Sequence, residues 1–202
     1  VINKVLPLNQ ELDVSPHTAE SLWRSCHMYV NDQSQHALIS ADNQWVIRKR
    51  AYPDAYYPDG LNIKAPQLCE TAKKAFNELR VLGINVITHA FTPSLDNNHI
   101  YTVSPYVPGL RKCPNSDYRS HIAPLLGEYF KSILLRTEEC QDRVEPFLED
   151  VDRATQFSKL SADGVPFLHD VDPYMRNSRE YAETKYNLIA EQALRYSGIV
   201  IA

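Results

Sequence analysis

Two aspartates one residue apart, Asp170 and Asp172, close the stretch FSKLSADGVPFLHDVDPY (157–174). In it two short apolar runs flank a turn, Ser161-Ala162-Asp163-Gly164, and Pro173 stops regular structure beyond the second run. A carboxylate at the mouth of a strand suits a hard cation such as magnesium, which takes oxygen ligands. Eighteen positions before Asp170 stands another acid, Asp152, inside DVDRATQF. The competing reading of Asp170-Val171-Asp172-Pro173 is an Asx-type turn ending a strand. The hairpin before it and the acid upstream favour the cation. For Asp152 the competitor is a solvated acidic helix end shared with Glu149 and Asp150.

The basic counterpart lies in WVIRKR (45–50), where Arg48, Lys49 and Arg50 follow an apolar run. One of them facing a cleft would serve phosphate oxygens; all three exposed would protect a strand edge from pairing. Arg48 and Lys49 exclude one another, because a slip of one residue sends a side chain to the other face of a sheet. Glu78, in FNELRVL, stands four residues after Lys74, which makes an ordinary surface pair its plain reading.

Other chemistries find no support in the residue spacing. The four cysteines, Cys26, Cys69, Cys113 and Cys140, form no CxxC pair and no HExxH occurs, so close zinc-ligand pairs are missing. Reduced thiols in a cytoplasmic protein are expected. A net charge of −4 argues against nonspecific nucleic-acid binding, which needs a basic surface. No window approaches a spanning apolar segment, so no membrane is expected. The first residues, VINKVLPLNQELDV, lack the pattern of a secretory signal.

The elements that must position these groups follow from periodicity and turn residues. Residues 16–29 read as a helix with Thr18 as its cap. Extended runs at 28–30, 36–40 and 44–52, separated by NDQSQ and ADN, predict a small antiparallel sheet. AYPDAYYPDGLNIKAP (51–66) is a loop whose Tyr52, Tyr56 and Tyr57 either bind a partner or fold back. Apolar residues three or four apart predict a helix over 67–82, stopped by Gly83. Strands at 86–91 and 100–103, a connector at 104–110, a helix over 118–135, the hairpin and a helix over 178–196 complete the chain. Strands grouped ahead of helices predict an α+β fold, with residues 1–104 and 105–202 as its two parts.

This order resembles the protein-kinase-like fold, including its aminoglycoside and choline phosphotransferase relatives, over about residues 28 to 175. The best match, KLSADGVPFLHDVDPY, is similar to the hairpin leading into the family's metal-binding DFG or DxD-type aspartate. The resemblance implies two lobes: a small antiparallel N-lobe sheet and a truncated, mostly helical C-lobe. It implies that Asp170 binds magnesium bridging the phosphates of ATP, with Asp172 beside it. VDRATQF stands where the family has HRDxxxxN, which makes Asp152 the candidate catalytic base and Gln156 a second metal ligand. WVIRKR resembles the strand of the phosphate-contacting lysine, Glu78 the helix glutamate that pairs with it, and YTVSPYVPG, with Tyr106, the hinge that takes the adenine edge.

Phosphoryl transfer needs held phosphates, a divalent cation and a group orienting the acceptor. These residues supply candidates for each, so an ATP- and magnesium-dependent phosphotransferase is expected, its acceptor unidentified. NDQSQ where the family has a Gly-rich loop, and Phe157 where it has Asn, favour an alternative: a catalytically inactive, pseudokinase-like binding or regulatory module with a protein partner. A third reading is an unrelated α+β interaction protein. The apolar side of the last helix, which includes Leu188 and Ile189, predicts a homodimer.

Overall fold

The computed structural model describes residues 8–26, 28–29, 37–51, 64–139, 146–147, 157–160, 164–169, 174–175, 183–184, 186–188 and 191. In chain order the elements are helix α1 (Pro16–Ser25) and strands β1 (Met28–Tyr29), β2 (Ala37–Ile39) and β3 (Trp45–Ala51). Helix α2 (Ala65–Val81) follows, then β4 (Asn85–Val86), β5 (Ala90–Pro93), β6 (His99–Pro105) and β7 (Arg111–Lys112). Next come α3 (Asn115–Asp117), a π-helical turn (Tyr118–Ile122) and α4 (Ala123–Glu139). Strands β8 (Pro146–Phe147), β9 (Phe157–Lys159), β10 (Phe167–Leu168) and β11 (Tyr174–Met175) complete the set. The chain is α+β. It divides into one unit of residues 1–73 and 87–108 and a second of residues 74–86 and 109–202.

The first unit is built on an antiparallel sheet in the order β1-β2-β3-β6-β5. Strands β3 and β6 pair along their whole length, from Trp45↔Pro105 to Ala51↔His99. The two described hairpin turns of this sheet, between β2 and β3 and between β5 and β6, are locally encoded. At each, an Asn in the left-handed region (Asn43, φ 55°; Asn97, φ 56°) follows an Asp that bonds a Ser two residues earlier. Asn tolerates that conformation better than most residues, which is why DN in both turns closes a hairpin.

Helix α1 starts at Pro16, where it is expected, but its cap is a different residue. Ser15, not Thr18, is the cap: its Oγ accepts the Thr18 amide at 3.2 Å, and Pro16 fills the first turn, where no amide is needed. The helix stops at Ser25 rather than running to residue 29, since Cys26 is already extended and 28–29 is recruited into the sheet. Leu12, Val14, Leu22, Trp23 and Cys26 pack against Ala19, Ile47, Ala90, Tyr101 and Val103. Full burial of a side chain such as Ile47 or Val103 contributes about 1.5–3 kcal/mol.

Helix α2 carries the predicted period: Leu68, Cys69, Ala72, Ala75, Phe76 and Leu79 are buried. It ends as expected at Gly83 (φ 90°), whose amide bonds the Arg80 carbonyl while Ile84 bonds that of Leu79. The single strand expected over 86–91 is two elements instead. Asn85–Val86 runs parallel to β10, while Ala90–Pro93 pairs with β6.

In the second unit a four-stranded sheet has the order β4-β10-β9-β7, and β8 pairs with β11. The expected hairpin is present: Phe157↔Leu168 and Ser158↔Phe167 are antiparallel. The helix expected over 118–135 starts at Asn115, runs to Glu139 and passes through the π-helical turn. That turn buries Tyr118, whose ring lies 5.5 Å from that of Phe157. Of the last predicted helix, only residues 183–184, 186–188 and 191 are described, all helical.

Candidate functional site

The alternation of β3 separates its cations. Lys49 stands directly across from Tyr101 and Arg48 across from Thr102, so the two side chains leave opposite faces of the sheet. The Lys49 ammonium lies 5.8 Å from the centroid of Trp23 and 5.7 Å from that of Tyr101, on the face that α1 covers. Two aromatic faces hold that charge as a cation–π pair, so its binding partners are rings of its own unit. Arg48 is half-buried on the other face, in a strip with Val46, Thr102 and Ser104.

Strand β6 carries the chain into the 104–110 connector. The Tyr106 amide donates to the Gln44 carbonyl at 2.7 Å, extending the β3–β6 pairing. Glu78 lies in α2, half-buried, within the part of the chain assigned to the second unit. The helix's neighbouring ion pair is Lys73 with Glu70 at 2.8 Å; Lys74 is exposed.

Asp152, Gln156, Asp170 and Asp172 lie outside the described residues, as do Tyr52, Tyr56 and Tyr57. What is described of their surroundings is the hairpin itself. Ser158 Oγ and His169 Nδ1 are 3.0 Å apart, a bond across 11 residues that ties the open end of the hairpin just before Asp170. Ser158 is buried, so its hydroxyl serves as a structural tie and not as an exposed nucleophile. Beside it, the Lys159 ammonium bonds the Asp117 carboxylate, which that bond holds below the usual carboxylate range. Neither pair was foreseen from the residues, because each joins positions far apart in the chain that no local pattern links.

Among the described residues no three His, Cys, Asp or Glu side chains gather closely enough to hold a metal ion. The described cysteines, Cys26, Cys69 and Cys113, are free thiols. Burial pushes the Cys69 thiol up to about 12, which leaves it protonated and unreactive at neutral pH. No helix among the described residues is long and apolar enough to cross a membrane. No protein-family model matches the chain, and no curated protein or solved structure matches it either.

Proposed function

We propose that this chain is a small kinase-like module that binds a nucleoside triphosphate with magnesium and transfers its phosphoryl group to an unidentified acceptor. Arg48, not Lys49, is the phosphate-contacting cation of this reading. The observation that carries it is the β3–β6 register. The basic strand lies against the strand entering the connector, and Lys49 is engaged by Trp23 and Tyr101 while Arg48 leaves the opposite face. A guanidinium is always charged and can grip phosphate oxygens through two N–H groups at once, which suits this position.

The remaining roles rest on the resemblance: Glu78 as partner of the cation, the connector near Tyr106 for adenine, and Asp152 to orient the acceptor hydroxyl. Asp170 and Asp172, with Gln156, are the proposed magnesium ligands. The ion would neutralise charge on the phosphate oxygens. Two lobes, with a small N-lobe sheet and a mostly helical C-lobe, belong to the same reading, as do a cytoplasmic setting and self-association through the last helix.

The test is thermal-shift and calorimetric titration of the protein with ATP and magnesium. Arg48→Ala and Asp170→Ala should each abolish the nucleotide-dependent shift, and Lys49→Met should retain it. No shift with the unaltered chain at any salt concentration would remove the reading.

One observation favours a second reading, a pseudokinase-like binding module. The Tyr106 amide is committed to Gln44, and NDQSQ replaces a phosphate-covering Gly-rich loop. In that case the double variant Asp152→Ala, Asp170→Ala keeps both its fold and its capture of a protein partner.

A further inference from the structure

Within the first unit, backbone bonds fasten the N-terminal segment to residues 87–89. Leu12 donates its amide to the His89 carbonyl at 3.0 Å, and His89 returns a bond to the Gln10 carbonyl at 3.2 Å. Gln10 also donates to the Thr88 hydroxyl at 3.3 Å. Leu8 also forms a bridge to Ile87, half-buried side chains lay the segment on the sheet, and Ala19 is the only residue of α1 that is fully buried. Half of the residues of α1 are exposed, including Arg24, whose side chain is 79% exposed. Near its far end the Lys49 ammonium lies beside both Trp23 of the helix and Tyr101 of the sheet, 5.8 and 5.7 Å from their ring centroids. The two rings themselves are 6.3 Å apart.

We infer that residues 8–26 form a reversible strap over one face of the five-stranded sheet, latched where Trp23 meets Tyr101 and Lys49 caps both rings, and that it lifts as a unit while the sheet stays folded. Elements with few buried apolar contacts open at lower free energy than the core they lie on. The β3–β6 ladder, by contrast, is paired over seven residues and flanked on both sides. Lifting the strap bares Ile47, Ala90, Tyr101 and Val103 and releases the Lys49 charge. This inference is independent of any nucleotide activity.

Native-state hydrogen exchange on the full chain tests it. The Leu12 and His89 amides, each protected by a bond between strap and sheet, should exchange together and faster than amides of the β3–β6 ladder. Lys49→Met removes the charge but keeps the side-chain length, and should speed both amides by about 3- to 20-fold while leaving the ladder unchanged. Lys49→Arg keeps a cation over the rings and should restore slow exchange; Trp23→Leu should match Lys49→Met. Exchange of Leu12 and His89 at the ladder's own rate would overturn the strap. Equal exchange in the Met and Arg variants would overturn the latch.

Discussion

Asp96 accepts the hydroxyl of Ser94, and the Ser94 oxygen in turn accepts the His99 amide at 2.9 Å, so two side chains close the β5–β6 hairpin. Asp42 and Ser40 repeat the figure between β2 and β3, with Trp45 donating to Ser40 Oγ at 3.0 Å. The Asp96 carboxylate is held down to about 2, first by the Ser94 hydroxyl and then by the Asn98 amide. A folded-state value below the unfolded one stabilises the fold above the ordinary carboxylate range, and that contribution fades as pH falls through about 2. Urea midpoints followed from about pH 5 to about pH 2 should therefore fall less steeply in Asp96→Asn than in the unaltered chain.

Gly83 ends α2 with φ at 90°, and a Cβ built there meets nothing within 4 Å. Any loss in Gly83→Ala is thus the cost of the left-handed backbone alone, about 1 kcal/mol. Asn, which tolerates this region, should cost less than Ala. Urea unfolding of the two variants side by side checks the order; Asn as costly as Ala would mean that the helix end is stabilised by something other than backbone conformation.

Lys159 stands directly across the β7–β9 pair from Arg111, like charge against like, and Asp117 offsets the repulsion. The pair is largely shielded, with Lys159 12% and Asp117 29% exposed. Asp117→Asn should cost about 1 kcal/mol at low salt and less at high salt, where screening weakens the Arg111–Lys159 repulsion. In Lys159→Met the Asp117 carboxyl should titrate closer to its ordinary range, which a carboxylate-resolved NMR titration would show. An Asp117 titration unmoved by Lys159→Met would mean that another group holds it down.

Local signals carried most of the element list. Gly83 stopped α2 where a glycine was expected, the SADN and SLDN turns made hairpins, and apolar spacing marked both long helices, because each signal acts within a few residues of itself. Misplaced boundaries have a common cause. Met28 and Tyr29 lie where a helical reading (16–29) and an extended one (28–30) overlap, and pairing with Ile39 and Leu38 decided for the strand. Asn85–Val86 and Ala90–Pro93 look like one run, yet they bond to partners 80 or so and about a dozen residues away, in different sheets.

Of the candidate site, the sequence by itself determined that cations cluster on one strand and acids around one hairpin. Which cation faces which way it left open, since Arg48 and Lys49 differ by a single step along an alternating strand. Only the pairing of β3 with β6 decided that: Tyr101 across from Lys49, and Trp23 brought over it by α1, took the lysine onto the covered face. Pairing register is set by contacts between distant segments, and no window of neighbouring residues contains them.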